Sequence, residues 1–386
     1  MAIKPPFLSC ISTFISSCPC STTILFPWSS LNSHQTRKPP RSISPTTSAL
    51  PLELFHETST ITKPMFMDGS SVQSLDQFIR HPDFSILDVS NNRLTIITSG
   101  FFSDCGKLDG LKLLNFSVNN LVGCLPDFVR SIPTHLGKSK VLEELELSVN
   151  IFDGSIPIQI VGYQNLTLID LSGNQLSGIV LDGIGDLAKL EVLILLANRL
   201  SDRIPQSISS ITSLWRFAAN SNNFSGSIPG GIAKHLKNLD LSYNNLSGLI
   251  PSHLLSLSNL QTLDLSNNRL EGQIPPRIWV SLAVLKLQFN NLSDGIPIQI
   301  TQLPKLSILN ISWNSLNGSI PPSVSNMQNL TNMNLQGNKL SGSIPASIAS
   351  MDSLMELQLG ENQLSGDIPR MPMSLQIALN LSSNHF

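Results

Sequence analysis

The sequence predicts an α/β solenoid. This is a right-handed superhelix of about thirteen coils of ~24 residues, with one parallel sheet on its concave face and short helical or 3-10 turns on its convex face. Three observations predict it. A pattern of the form Leu-x-Leu-x-x-Asn-x-Leu recurs thirteen times, its asparagines keep a near-constant period, and Gly and Pro follow those asparagines at fixed offsets.

The copies run from LDVSNNRL at 87–94 through LELSVNIF at 145–152, FAANSNNF at 217–224 and LDLSNNRL at 263–270 to LNLSSNHF at 379–386. The asparagine of each coil, in order, is Asn92, Asn119, Asn150, Asn174, Asn198, Asn222, Asn244, Asn268, Asn290, Asn314, Asn338, Asn362 and Asn384. Their spacings are 27, 31, 24, 24, 24, 22, 24, 22, 24, 24, 24 and 22 residues. A period near 24 lies in the range of leucine-rich repeats. Length alone suggests two or three domains at ~150 residues each; the period overrules it and predicts one repeat domain over 83–386.

Each slot has a physical task. Leu-x-Leu has period 2, so both leucines face the interior of a short strand and the residue between them faces out. Stacked coils then share a core that no single coil could bury. The asparagine stands where the chain leaves the strand, and its amide can satisfy turn backbone groups that burial would otherwise leave unpaired. Gly stands four residues after the asparagine in nine coils, where it supplies a turn conformation that other residues resist. Pro stands seven after it in ten coils, fixes φ and ends any ladder. Together they predict a convex return path followed by a short helical or 3-10 turn, as at Ser207–Ile211.

At these residues the sequence resembles the plant-specific class of leucine-rich repeats, L-x-x-L-x-x-L-x-L-S-x-N-x-L-S-G-x-I-P. That class is typical of the ectodomains of plant receptor-like kinases and receptor-like proteins. LWRFAANSNNFSGSIP (214–229) and LNISWNSLNGSIPPS (309–323) carry it most closely. The resemblance implies a non-enzymatic extracellular or cell-surface module, on the outer face of the plasma membrane, that binds a peptide or protein ligand and a co-receptor ectodomain. It calls for no cofactor. Secreted leucine-rich repeat inhibitors of cell-wall polygalacturonases look similar, but have ten or so coils and intact cysteine caps.

The chain also departs from the family. Residues 1–82 lack the usual paired-cysteine cap, and no Gly-rich phosphate loop, His-Arg-Asp or Asp-Phe-Gly stretch occurs. An ectodomain fragment without transmembrane and kinase regions is the expectation. Its last coil should then expose Leu379, Leu381 and the leucines of coil 12 beneath them.

Charge and composition narrow the function further. Net charge is −2 and charged residues are 13%, which disfavours a nucleic-acid binder held by a basic face. No run of ~18 apolar residues reads as a membrane span. Residues 1–52 hold no Asp or Glu and are rich in Ser, Thr and Pro. A weak secretory signal, an organelle transit peptide and untranslated or intronic sequence all stay open, and residues 1–50 are expected to be disordered. Residues 53–82 read as a degenerate first repeat. Of five cysteines, Cys105 and Cys124 either pair or stay buried as free thiols, the latter being favoured. The His residues show no ligand spacing, so no metal site is expected. Nine N-x-[S/T] sequons, among them Asn165 and Asn329 outside the repeat frame, suggest a glycosylated surface.

The residues between the strand leucines should line the concave face: Asp88, Asn115, Glu146, Asp170, Ile194, Ala218, Asp240, Asp264, Lys286, Asn310, Asn334, Gln358 and Asn380. Asp264 and Lys286 fall on adjacent strands and are expected to pair. Aromatic and basic residues gather in the middle, and such side chains dominate binding hot spots. The candidate ligand-binding set is therefore Trp215, Arg216, Asp240, Tyr243, Asp264, Lys286, Phe289 and Trp313. Phe217 takes a leucine slot and should be core.

Overall fold

The computed structural model describes residues 85–97, 110–125, 127, 129, 141–252, 254, 259–276 and 281–386. These belong to one compact unit, Lys63–Phe386. The expectations for residues 1–82 and for Cys105 lie outside the described residues, apart from this division.

Thirteen three-residue strands, one per coil, form a single parallel sheet in strict chain order, from Ile86–Asp88 through Arg216–Ala218 and Thr262–Asp264 to Ala378–Asn380. Leucine pairs with leucine across it: Leu239 lies beside Leu263, and Leu263 beside Leu285. Both strand leucines point inward, and 0% of Leu239, Leu241, Leu263 and Leu265 is exposed. The sheet and its period are as predicted.

The asparagines point inward as well. Asn244 shows the rule: its Nδ2 donates to Leu241 O at 3.1 Å, Ser242 O at 3.1 Å and Ala219 O of the preceding coil at 3.0 Å. Its Oδ1 accepts the Phe224 N–H at 3.0 Å. The same four contacts recur at Asn150, Asn222, Asn338 and Asn362. One side chain thus ties each turn to the coil before it, which is why the period depends on Asn and not merely on a polar residue.

Two features were not foreseen. The residue before each fixed Asn has φ between 53° and 66°, in all thirteen coils, although only Gly173 and Gly337 are glycines there. Val118 and Val149 are β-branched residues held in this left-handed region, which normally costs an L-residue ~1–2 kcal/mol. Second, the Leu-Ser-Gly segment is not only a turn. Ser177–Gly178, Arg199–Asp202, Asn223–Gly226, Asn245–Leu249, Arg269–Gln273 and Asn291–Ser293 form a second, six-stranded parallel sheet on the flank. Its glycines keep positive φ, and Asp202 and Asp294 take φ 64° where Gly is missing.

The convex side follows the prediction. Among the described residues, six five-residue 3-10 turns, including Gln206–Ser210 and Ala346–Ser350, each bury one aliphatic side chain such as Ile208 or Ile348. Each opens after an extended Pro, or after Leu181 in the coil that lacks it.

Two expectations are corrected. Cys124 is disulfide-bonded rather than a free buried thiol. At the last coil Leu379 is 46% exposed, as expected, but Leu357 and Leu359 of coil 12 are fully buried at 0%. The coil 13 strand pairs Leu357 with Leu379 and covers that layer, so the exposed edge is one coil deep.

Candidate functional site

The concave sheet places the predicted side chains by strand parity. Phe217 points into the core and is 1% exposed, while Arg216 and Ala218 on either side of it face out. Register then sets Arg216 beside Asn238, Ala218 beside Asp240, Asp240 beside Asp264, and Asp264 beside Lys286. Trp215 immediately precedes the coil 6 strand, and its carbonyl accepts the Lys237 N–H at 2.8 Å. Ala218 is buried, so the face dips between Ile194 and Asp240.

The acidic pair at the centre is only partly neutralised. Lys286 Nζ lies 3.5 Å from Asp264 Oδ2, as predicted. Asp264 Oδ1 accepts the Ser266 N–H at 3.1 Å and its hydroxyl at 2.6 Å. Asp240 Oδ1 accepts the Ser242 N–H at 3.0 Å and hydroxyl at 2.7 Å. Burial pushes the Asp240 carboxyl above its usual range; the Ser242 hydrogen bonds oppose this, the neighbouring Asp264 adds to it, and Lys286 counters. These Asx–Ser rungs fix one carboxylate oxygen of each Asp, and at Asp264 the other meets Lys286. Gln288, two residues past Lys286, has a buried side-chain oxygen with no partner.

The aromatic members of the set are not on the sheet, and the expectation of one concave patch is corrected. Tyr243, Phe289 and Trp313 lie past the strand ends, in the left-handed position before the fixed Asn, at φ 53°, 56° and 53°. They form an exposed rim, 60%, 49% and 40% accessible. Phe289 and Trp313 stack with centroids 5.9 Å apart and planes 5° from parallel. Tyr243 is separated from Phe289 by coil 8, whose residue at this position is Asn267. The sequence sets these residues immediately before the fixed Asn, but not in a left-handed slot past the strand end, because that slot carries no signature of its own.

Among the described residues, no group of three or more His, Cys, Asp or Glu side chains could hold a metal ion, and no helix is long and apolar enough to cross a membrane. A shallow depression on the flank, lined by Leu249, Glu271, Gly272, Asn291, Ser293 and Ser315, lies on the second sheet, away from the predicted set.

The family described as Leucine Rich Repeat matches residues 165–187, 235–257, 259–280, 305–327 and 329–351. No curated protein sequence matches the chain. Among solved structures, the plant peptide hormone receptor RGFR1 in complex with RGF2 is 33% identical with TM-score 0.67, over 78% of this chain and 51% of that one. The ectodomain of the Arabidopsis thaliana membrane receptor kinase GASSHO1/SCHENGEN3, in complex with CASPARIAN STRIP INTEGRITY FACTOR 2, is 29% identical with TM-score 0.52, over 81% of this chain and 43% of that one. A TDR receptor is 27% identical with TM-score 0.55, over 76% and 58%. The chain therefore spans about half the length of the solved receptors it matches.

Proposed function

We propose that this leucine-rich repeat chain, whose coils resemble those of plant receptor-kinase ectodomains, is a non-enzymatic recognition module for an extended peptide or protein segment, acting at the cell surface. The observation that carries this reading is the row of charge at the centre of the concave sheet. Asp240, Asp264 and Lys286 stand in register on three consecutive strands, and Arg216 stands on the strand before them, beside Asn238. At ~4.8 Å per strand the row spans about 14 Å, the reach of four or five extended residues. Trp215 bounds it at the strand entry and the aromatic rim at the strand exit, and such side chains are the usual anchors of binding energy.

Three similar solved proteins support the reading: RGFR1 is a plant peptide hormone receptor, GASSHO1/SCHENGEN3 is in complex with CASPARIAN STRIP INTEGRITY FACTOR 2, and the third is a TDR receptor. The disulfide at Cys124 supports an oxidising compartment. The partner class is thus a linear peptide or an exposed protein segment, with a co-receptor ectodomain as a further partner.

The test is selection of a random linear-peptide display library on the full chain. Recovered peptides should bind at least about tenfold more weakly to a variant carrying Trp215→Ala, Arg216→Ala and Lys286→Ala. Peptides that bind that variant and the parent equally would overturn the reading.

A further inference from the structure

The amino-terminal third of the concave sheet carries four carboxylates with no cation among them. Asp88, Glu144, Glu146 and Asp170 take outward positions on the strands of coils 1, 3 and 4. Register sets Asn115 between Asp88 and Glu146, and Glu146 beside Asp170. Farther along the face Lys286 meets Asp264, and Lys112 meets Glu143 at 3.0 Å just ahead of the strands. Coil 5 then presents Val192 and Ile194, which separate this acidic stretch from Arg216.

A second observation stands apart from the charges. Ser117 lies two residues past Asn115, on the same side of the chain, and is 6% exposed. Its N–H bonds Asn115 Oδ1 at 2.9 Å, but its hydroxyl has no partner. In coils 4, 7, 8, 10 and 13 the serine of this slot donates its hydroxyl to the Asp or Asn two residues before it. The Phe116 and Val118 N–H groups bond the Glu146 and Ser148 carbonyls, which seats Ser117 against the strand that carries Glu146. A buried hydroxyl without a partner costs stability unless something meets it.

We infer that this stretch receives the cationic end of an extended segment, whose Arg or Lys side chains meet Glu146 and its flanking carboxylates while a polar group meets Ser117. The inference rests on the reading of the concave face as a peptide site, and adds to it a direction and a charge. Coil 3 and coil 6 are about 14 Å apart at ~4.8 Å per strand, so roughly four extended residues separate the cations from the residue over Arg216. The desolvated state of the carboxylates agrees with a site built to be filled. Burial, and then Glu144, Asp170 and Asp88, push the Glu146 carboxyl up to about 7, and burial followed by Glu143 raises Glu144.

The test uses three fluorescent dodecapeptides that share one neutral Gly/Ser/Pro/Asn body and begin with Arg-Arg, Gln-Gln or Glu-Glu. Binding to the full chain is read by anisotropy at low salt and pH 8, where Glu146 is ionised. The Arg-Arg probe should bind at least about tenfold more tightly than the other two, and lose that margin at high salt. A variant with Glu144→Gln, Glu146→Gln and Asp170→Asn should abolish the margin. It keeps both Ser172 hydrogen bonds, from N–H and hydroxyl, since Asn310 Oδ1 accepts the same two from Ser312 in coil 10. Glu271→Gln on the flank should leave the margin intact.

Equal binding of the three probes, a margin that survives the triple variant, or no binding of the Arg-Arg probe would each overturn the inference. If all three probes bind alike and all weaken on the Trp215→Ala, Arg216→Ala, Lys286→Ala variant, the peptide-site reading stands and only the cationic end is refuted.

Discussion

The indole of Trp313 lies directly over Gly337 of the next coil, so close that a Cβ at Gly337 would sit 2.7 Å from the ring. Gly337 also holds φ 66°. One glycine therefore answers two demands, the left-handed backbone and the close approach of an aromatic ring. Gly337→Ala should cost about 2 kcal/mol or more in urea unfolding, from strain of ~1–2 kcal/mol plus displacement of the ring. In a Trp313→Ala background the clash term should vanish, leaving the backbone strain alone. Equal costs in both backgrounds would show that the ring contact contributes nothing.

The asparagine ladder makes a sharper demand. Asn244→Leu strands the Phe224 N–H and removes the donor shared by three carbonyls. At about 1–3 kcal/mol for a buried group left unpaired, the loss should be roughly 2–4 kcal/mol. Asn223 is one of the exposed, non-ladder asparagines, and Asn223→Ala should change stability by no more than ~0.5 kcal/mol. Denaturant unfolding of the two variants checks the contrast.

Glu146 gives a pH prediction. Its folded pKa is raised from 4.5 to about 7, so between these values the folded chain binds more protons than the unfolded chain. Stability must then fall as pH rises from about 4.5 to about 7, and the penalty is fully present above 7. Glu146→Gln should raise the melting temperature at pH 8, have little effect at pH 4, and flatten the slope between. A steeper slope in the variant would contradict the assignment.

The exposed last coil predicts a gradient of local opening. Amides of the Ala378–Asn380 strand should exchange faster than those of Thr262–Asp264, because Leu379 is half exposed while Leu263 is sealed between two coils. Protection should be restored by Glu356–Gln358, since Leu357 and Leu359 are already buried. Uniform protection through all three strands would refute the gradient.

Much of this architecture was legible because a solenoid repeats its evidence. A single Leu-x-Leu is ambiguous, but thirteen in phase locate every strand of the concave sheet, and the inward direction of each asparagine follows from the groups it must satisfy. The flank sheet was not legible. Its strands are two to five residues long and contain Gly, which reads as turn chemistry, and they gain their pairing only from the coils beside them. The left-handed slot was hidden for the opposite reason. Val149, Tyr243, Phe289 and Glu361 are residues that avoid positive φ, and there the stacked hydrogen bonds override local preference. At the candidate site, parity identified Asp240, Asp264 and Lys286 as neighbours, and the structure supplied the Asx–Ser rungs that orient the two Asp carboxylates. Ser117 could not have been singled out, since its serine slot is shared with most coils and only its hydrogen bonding differs.

The central claim is that an extended segment is recognised along the concave face. Its most direct test is amide hydrogen exchange of the full chain with and without a saturating library-selected peptide. The account predicts added protection in the strands Arg216–Ala218, Asn238–Asp240, Thr262–Asp264 and Val284–Lys286, with the flank strands Asn245–Leu249 and Arg269–Gln273 unchanged. Protection confined to the flank strands, with the concave strands unchanged, would contradict it.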